Sequence, residues 1–393
     1  MTARRLAPPL LLLVFALIST HAASATERTV DLTASDGTKL TGTYFSAGKP
    51  GPGVLLLHQC NRQRKVWDGL AQQLSAAGIN VLTFDYRGFG ESGGKPEGKS
   101  TPAEIGAQRA KWPGDIDVAY QYLVSQTGVN KDAIGVGGAS CGVNNSVQTA
   151  LRHPEVKSLV LLSGPTDRNG RQFLRNSSSA PEFFAAADDD EFAGTVLATE
   201  WYYNITGNPG KKYAHYSTGG HGADMFRVHP ELVTLITDWY VTTLIKTPGH
   251  APPTKDAFRP SQEVLVLSML DQPGGAAKAS QMLDDARKKD PHAKLFDEAT
   301  VNLMGYELIQ SGDTQAAVEI MKLNVKAYPA SPNTYDSLAD AYVAAGQKDL
   351  ARQATNKALE LLPSDTTDPQ QQRDAIKASS EARLKQLGGA PAQ

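Results

Sequence analysis

The chain has 393 residues, of which 40% are hydrophobic and 20% charged, with 35 Gly, 23 Pro and 2 Cys. At about 150 residues per domain this length predicts two or three domains, and the composition excludes a disordered chain, a collagen-like fibre and a disulfide-rich miniprotein. Lys and Arg total 39 against 41 Asp and Glu, a formal charge of −2. Because no dense basic stripe could neutralise a run of phosphates, nucleic acid is not an expected partner.

Residues 1–25 have the pattern of a secretory signal peptide. Arg4 and Arg5 precede an apolar run over residues 6–18, and the small residues 23–25 follow as a cleavage site. The alternative is a retained membrane anchor, which is disfavoured because the run contains two prolines and is shorter than the ~20 residues of a span. We therefore expect cleavage after Ala25 and an exported protein, periplasmic or secreted, with no membrane span after cleavage.

Residues 26–246 alternate short β-branched runs with amphipathic stretches, and Gly, Asn or Asp stands at each junction. This rhythm predicts an α/β domain with a mostly parallel sheet flanked by helices, opened by an antiparallel hairpin around Asp36-Gly37. The predicted strands cover 29–32, 39–45, 53–57, 80–84, 133–136, 156–162, 182–187 and 212–216. The predicted helices cover 67–77, 112–126 and 230–244.

A Pro-rich linker over residues 247–262 separates this domain from a small all-helical domain over residues 263–388, and residues 389–393 form a frayed tail. Two segments, 301–329 and 335–363, superimpose with a register of 34 residues, which indicates repeated helix pairs. An ordinary helical bundle is the alternative. The second copy resembles the tetratricopeptide repeat at Tyr335, Leu338, Ala339, Tyr342, Ala351, Ala358 and Pro363. Flanking helices are expected over 276–289 and 373–387, since stacked repeats need more than two units.

The segment from Gly138 to Gly142 contains the pattern Gly-x-Ser-x-Gly between an apolar strand and a helical stretch. This context predicts a nucleophile elbow, in which Ser140 occupies a strained turn that raises its oxygen above the sheet. Residues two before and two after the serine must then be small, as Gly138 and Gly142 are. A plain strand-to-helix turn is the alternative reading.

A serine hydroxyl needs a base to take its proton and a carboxylate to orient that base. His221 lies in a Gly-bracketed loop before the last predicted helix of the domain, and we predict it as the base, with His215 as the alternative. The acid is expected after the strand 182–187, where four acidic residues run together. We predict Asp190, with Asp189 as the alternative.

Taken together, these segments resemble the α/β-hydrolase fold, and most closely its dienelactone-hydrolase-like branch. The resemblance covers residues 27–246 and rests on motifs in the family's order, which are Leu55-Leu56-Leu57-His58, Trp67, Asp85 to Ser92, Gly138 to Gly142, Asp190 and Gly220-His221-Gly222. The chain departs from the family at His58-Gln59-Cys60, where His-Gly is usual, and it has Ser in place of the Cys nucleophile of dienelactone hydrolases. The resemblance therefore implies an ordinary esterase, with His58 as a structural residue.

By the same resemblance, the oxyanion donors would be the backbone N–H of Cys141 and that of Gln59 or Cys60. If both loops aim an N–H at one oxyanion, the Cα atoms of Cys60 and Cys141 lie close together, and an exported protein meets an oxidising environment. A Cys60–Cys141 disulfide that braces the oxyanion hole is our hypothesis, and two buried free thiols are the alternative.

These predictions describe an exported serine hydrolase that cleaves small-molecule carboxylic esters without a metal or other cofactor. The helical domain would be an accessory that recruits a protein partner, packs on the hydrolase domain or mediates self-association. Only a short polar segment separates the strands that end at Leu162 and begin at Pro181, so we expect an open site without a large lid. The alternatives are a non-catalytic scaffold that binds proteins through its repeats, and a peptidase, thioesterase or acyltransferase with the same triad.

Overall fold

A computed structural model describes residues 26–176, 180–192, 194–254 and 258–388 of the chain. The predicted signal peptide and the predicted C-terminal tail lie outside the described residues, as do three residues of the predicted linker. Within the described ranges, no helix has both the length and the apolar character needed to cross a bilayer.

Eight strands of the described residues form one sheet in the order β1-β2-β4-β3-β5-β6-β7-β8. They are β1 (Thr26–Thr33), β2 (Lys39–Ser46), β3 (Gly51–Leu57), β4 (Asn80–Phe84), β5 (Val129–Ala139), β6 (Val156–Leu162), β7 (Glu182–Ala187) and β8 (Lys211–Tyr216). β2 pairs antiparallel with β1 and with β4, and all other neighbours pair parallel. The predicted mostly parallel sheet with its opening hairpin is thus confirmed.

Helices flank the sheet, and those that lie between parallel strands form the crossover connections that parallel pairing requires. They are α1 (Asp68–Ala76), α2 (Pro102–Arg109), α3 (Trp112–Ser125), α4 (Cys141–Arg152), α5 (Arg168–Asn176), α6 (Thr195–Ile205), α7 (Met225–Val228) and α8 (Glu231–Tyr240), which continues as a π-helical segment (Val241–Lys246).

The sheet is covered on both faces, which explains its nearly continuous apolar strands. In β3, Val54 and Leu56 join a core cluster with residues of α1 and α8, whereas Leu55 and Leu57 join a second cluster with residues of α3, α4 and α6. Successive side chains of a strand point to opposite faces, so this alternation assigns the two helical layers. Flanking helices on both faces were predicted, and the structure confirms them.

The C-terminal region is entirely helical among its described residues. Its helices are α9 (Gln262–Leu270), α10 (Gly275–Arg287), α11 (Glu298–Gln310), α12 (Thr314–Ala327), α13 (Pro332–Ala344), α14 (Lys348–Leu361) and α15 (Gln370–Gln386). α11 packs on α12 and α13 packs on α14, which matches the two predicted helix pairs, and α10 and α15 match the expected flanking helices. The assignment of the pairs to the tetratricopeptide repeat stays a prediction.

The helical region packs directly on the α/β domain. Residues of α9, α10, α11 and α12 belong to the same buried cluster as the side chains of α3, α4 and α6. The guanidinium of Arg171, on α5, forms ion pairs across this boundary with Asp271 and Glu307 at 3.0 and 2.6 Å. Of the three roles considered for the helical domain, the structure shows packing on the α/β domain.

Candidate active site

The turn between β5 and α4 has the geometry of a nucleophile elbow. Ser140 stands between the two elements at φ 55° and ψ −123°, a strained conformation for a residue with a side chain. A Cβ at Gly138 would overlap the carbonyl oxygen of Gly142, and a Cβ at Gly142 would overlap that of Leu57. Glycine is therefore required on both sides of the serine, for the steric reason that the motif predicted.

His221 and Asp190 form a buried pair beside this turn. The Nδ1 atom of His221 lies 2.9 and 2.8 Å from the two carboxylate oxygens of Asp190, and the two side chains are 2% and 1% exposed. Burial acts to raise the pKa of Asp190, but hydrogen bonds from His221 and from the backbone N–H of Phe192 outweigh it, so the pKa is lowered. An ionised Asp190 holds the proton of His221 on Nδ1, which leaves Nε2 as an acceptor.

The Nε2 atom of His221 is buried, and within the described part of the chain it has no hydrogen-bond partner. The ring of Phe192 lies against the imidazole, with 4.4 Å between ring centroids. The loop that carries His221 touches the elbow, since a Cβ at Gly222 would lie 3.1 Å from the Cβ of Ala139. The half-buried Ser140 follows Ala139 directly, so the unpaired nitrogen belongs to a loop that packs against the residue preceding the serine. A base-to-nucleophile hydrogen bond is absent here, and such bonds commonly tighten only with substrate bound.

The alternative acid and base have other partners. Asp189 accepts a hydrogen bond from the backbone N–H of Gly220 at 2.8 Å. His215 lies on the exposed surface, where its Nε2 is 2.6 Å from a carboxylate oxygen of Asp188. The structure therefore brings Asp190, and not Asp189, to His221.

The side chain of Gln59 holds the His221 loop in place. Its Oε1 accepts a hydrogen bond from the backbone N–H of Ala223 at 2.8 Å, and its Nε2 donates to the backbone oxygen of His221 at 3.4 Å. From the sequence, Gln59 was expected to contribute only its backbone N–H, as an oxyanion donor. The one available signal was the departure from the family pattern at this position, where a glycine could not make these bonds.

Cys60 and Cys141 form a disulfide, with their Cα atoms 5.9 Å apart. The bond joins the loop after β3 to the first residue of α4. Because Cys141 opens the helix, its N–H has no partner within the helix and lies at the positive end of the helix dipole. This places the predicted oxyanion donors Gln59, Cys60 and Cys141 on two covalently linked segments.

His58 is held in a single neutral form by two hydrogen bonds. Its Nδ1–H donates to the backbone oxygen of Gln59 at 2.8 Å, and its Nε2 accepts from the backbone N–H of Tyr86 at 3.1 Å. Burial lowers the pKa of His58 to about 4. With both nitrogens occupied, His58 has the structural role that was expected of it.

A cleft of about 780 Å³ begins at Cys141 and extends between the two domains. Trp112 and Trp201 line it from the hydrolase domain, and Leu303 and Met304 of α11 line it from the helical region. This wall was not predicted, because it comes from the C-terminal region and not from an insertion between strands. The open site stays a prediction. Among the described residues, no group of three or more His, Cys, Asp or Glu side chains is arranged to hold a metal ion.

Residues 52–201 match the family model of the alpha/beta hydrolase fold. An uncharacterized protein of Mycobacterium tuberculosis is 33% identical over 138 residues, which are 35% of this chain and 45% of that protein. A thiohydrolase of Aspergillus aculeatus is 28% identical over 134 residues, which are 33% of this chain and 39% of that protein. The matched part therefore spans less than half the length of these curated relatives.

Two solved structures are also similar to this chain. An esterase of Pyrococcus furiosus is 20% identical, with 59% of this chain and 97% of that chain covered and a TM-score of 0.44. A dienelactone hydrolase of Anabaena variabilis is 17% identical, with coverages of 56% and 99% and a TM-score of 0.45. From the family match over residues 52–201 and the sheet built around them, we conclude that this chain has the alpha/beta hydrolase fold.

Proposed function

We propose that the protein is a serine hydrolase that cleaves carboxylic esters through an acyl-enzyme on Ser140. The alpha/beta hydrolase fold supports a hydrolase in general. One observation carries the finer proposal: His221 is oriented by Asp190 and keeps an unpaired Nε2, in a loop packed against a strained serine turn. A buried nitrogen without a hydrogen-bond partner lowers the stability of the folded protein. Such a nitrogen is expected in an active site that transfers a proton through it.

In the first half of the reaction, His221 Nε2 accepts the hydroxyl proton of Ser140 as Oγ bonds to the carbonyl carbon of the ester. The oxyanion that forms accepts hydrogen bonds from the N–H groups of Cys141 and of the loop at Gln59 and Cys60. The carbon–oxygen bond to the alcohol then breaks, and His221 returns the proton to the leaving alcohol. The ionised Asp190 stabilises the imidazolium in between.

In the second half, a water molecule attacks the acyl carbon, and His221 takes its proton. The bond to Ser140 breaks, the proton passes to Oγ, and the carboxylic acid leaves. A thioester would follow the same steps with a thiol as the leaving group. The similarity to a thiohydrolase makes thioesters the second substrate class to test.

Export is part of the proposal. The N-terminal pattern predicts it, and the Cys60–Cys141 disulfide supports it, since such bonds persist in oxidising compartments and are rare in the cytosol.

Hydrolysis of p-nitrophenyl acetate and of an acetyl thioester tests the proposed activity. We expect Ser140→Ala and His221→Ala to lower kcat by about 10³-fold or more. The matched control is His215→Ala. It removes an exposed histidine that pairs with Asp188, and it should change kcat less than about twofold. Undiminished hydrolysis by Ser140→Ala would refute the mechanism, and a wild-type protein inert toward both substrates would favour a non-catalytic scaffold.

A further inference from the structure

One face of α11 forms a wall of the cleft beside the candidate active site. Thr300, Leu303, Met304 and Glu307 all line it, and their spacing places them along one side of the helix. Leu303 is 59% exposed, the largest value among the exposed large hydrophobic side chains of the described residues. An apolar side chain in a concave site is the kind of surface that a bound apolar group would cover.

Two segments that line the cleft follow proposed catalytic residues in the chain. It is lined by Cys141, which follows Ser140, and by Asn145 one helical turn further along α4. It is also lined by Gly194, Thr195, Leu197 and Ala198, which come after Asp190 and Phe192 in the sequence. The ring of Phe192 lies against that of His221. A group bound in the cleft would therefore extend away from the reacting carbonyl toward α11.

The wall is fixed in position. Arg171 is 4% exposed and lies between Asp271 and Glu307, and its guanidinium stacks 4.8 Å above the ring of Trp201, another lining residue. Arg175 adds a second ion pair to Asp271 at 3.2 Å. Because the boundary is buried, paired and continuous with the core, the cleft exists before substrate binds.

The arginines around the cleft are already paired with carboxylates. Arg109 pairs with Glu97 at 2.8 Å, Arg152 with Asp117 at 2.9 Å, and Arg171 with Glu307 at 2.6 Å. The carboxylate of Asp167 accepts hydrogen bonds from Gln148 and from the backbone N–H of Gly170. An anionic substrate would find no unpaired arginine among these and would be repelled by the Asp167 carboxylate. An uncharged group would instead contact apolar side chains of the cleft, which are Trp112, Ile116, Leu197 and Leu303.

We infer that the cleft binds the uncharged, apolar part of the ester substrate, and that Leu303 of the helical region determines the preference for that part. The inference rests on the proposed function and adds a substrate class to it: neutral esters with a medium-length alkyl or aromatic group. The volume of about 780 Å³ lies within the range of roughly 300–1,000 Å³ found for small-molecule sites. The C-terminal region is then part of the enzyme's substrate site.

Kinetics on the full chain test this assignment. We expect Leu303→Asp to lower the ratio of kcat/KM for p-nitrophenyl octanoate to kcat/KM for p-nitrophenyl acetate by about 10-fold or more, since apolar contacts in a pocket discriminate on that scale. Leu350→Asp is the matched control, because Leu350 is also an exposed helical leucine but does not line the cleft. Equal effects of Leu303→Asp on the two esters, or no effect on either, would overturn the inference.

A binding measurement separates this inference from the proposed function. 2-Decanone is an uncharged ketone that cannot be hydrolysed, and Trp112 and Trp201 in the cleft report its binding by fluorescence. In a Ser140→Ala background we expect saturable binding, weakened about 10-fold by Leu303→Asp and unchanged by Leu350→Asp, with decanoate binding more weakly. Binding unaffected by Leu303→Asp would overturn the inference even for an active esterase. Retained binding without ester hydrolysis by the wild type would instead overturn the proposed function alone.

Discussion

Two buried histidines close to each other in the fold have different roles because their ring nitrogens have different partners. His58 uses both nitrogens in hydrogen bonds to the backbone, whereas His221 uses Nδ1 for Asp190 and leaves Nε2 unpaired. A ring with both nitrogens occupied cannot accept a proton without breaking a bond. His58 therefore stabilises the loop after β3, and His221 is the ring available for chemistry.

His58 makes the stability of the protein sensitive to pH. Its pKa is about 4 in the folded protein against a usual value of 6.5, so the unfolded chain takes up a proton that the folded chain excludes. The stabilisation is complete above pH 6.5 and is lost as the pH falls toward 4. This amounts to about 3 kcal/mol over that range.

Urea unfolding of wild type and His58→Gln at pH 7 and pH 4 measures this contribution. The glutamine removes the titrating group and can still accept from the Tyr86 N–H. We expect the wild type to lose about 3 kcal/mol more than the variant between the two pH values. Parallel losses in the two proteins would contradict the assigned protonation.

Among the site residues, those that lie in a recognisable local motif could be predicted from the sequence. Ser140 follows from the glycines two positions away on each side, and His221 follows from its Gly-bracketed loop. The side-chain role of Gln59 could not be predicted, because its partners lie 162 and 164 residues away along the chain. Contacts of that kind depend on the packing of two loops and leave no local pattern.

The conformation of the β5–α4 turn is possible only because two of its residues are glycines without side chains. The carbonyl oxygens of Leu57 and Gly142 occupy the space that side chains would need at positions 142 and 138. Backbone atoms cannot rotate away as a side chain can, so the position of the loop after β3 depends directly on the elbow.

We expect Gly142→Ala to lower the free energy of unfolding by about 3 kcal/mol or more, because the new methyl group overlaps a backbone carbonyl. The control is Gly69→Ala in α1, where the methyl group would have no neighbour within 4 Å and stability should rise by up to about 1 kcal/mol. Chemical denaturation of both variants provides the comparison. Similar stabilities for the two would show that the elbow is not sterically constrained.

The Cys60–Cys141 bond links the same two segments across a separation of 81 residues. Replacing both cysteines by serine should lower the free energy of unfolding by about 4 kcal/mol, because the unfolded chain regains loop freedom. We also expect kcat for p-nitrophenyl acetate to fall at least about 10-fold in the folded variant, since the oxyanion donors lie on the released segments.

Activity and urea unfolding of the double variant are measured at a temperature where it is folded. A kcat equal to that of the wild type would mean that the bond stabilises the fold without bracing the site. Alkylation of the unreduced wild type followed by mass measurement checks the bond itself, since two alkylated cysteines would exclude it.

The strands of the sheet were predicted well, because buried parallel strands are continuous apolar runs with Gly or Asn at their ends. Several helices were not predicted, and two of them, α5 and α9, were missed for identifiable reasons. α5 is a polar segment whose helix is anchored by ion pairs of Arg171 and Arg175 to a residue about 100 positions away. α9 is a run of consecutive apolar residues packed between two domains, so it lacks the 3.6-residue periodicity of a surface helix.

At the level of the whole molecule, the helical region and the hydrolase domain form one structure with a shared core. The sequence left three roles for the helical region open, because a repeat register describes packing within the region and does not identify what the region contacts. The contact combines this shared apolar core with buried charges, among them Arg171 and Asp271, which are 4% and 1% exposed. Neither residue stood out in the sequence.

We expect Asp271→Ala to lower the free energy of unfolding by about 3 kcal/mol, because it leaves the buried Arg171 with an incomplete set of partners. Asp313→Ala is the matched control at the same boundary, since the Arg168–Asp313 pair is 27% and 45% exposed and should contribute at most about 1 kcal/mol. Urea unfolding compares the two. Equal and small losses would mean that the two domains are not held together by this pair.

The proposed mechanism requires that folding assembles a reactive serine from residues distant in the chain. Treatment of the folded full-length protein with a fluorophosphonate probe, followed by mass spectrometry to locate the adduct, tests it most directly. We expect one adduct on Ser140 in the wild type and in His215→Ala, and none in Ser140→Ala or His221→Ala. An unlabelled wild type, or a Ser140→Ala variant labelled as strongly as the wild type, would contradict it.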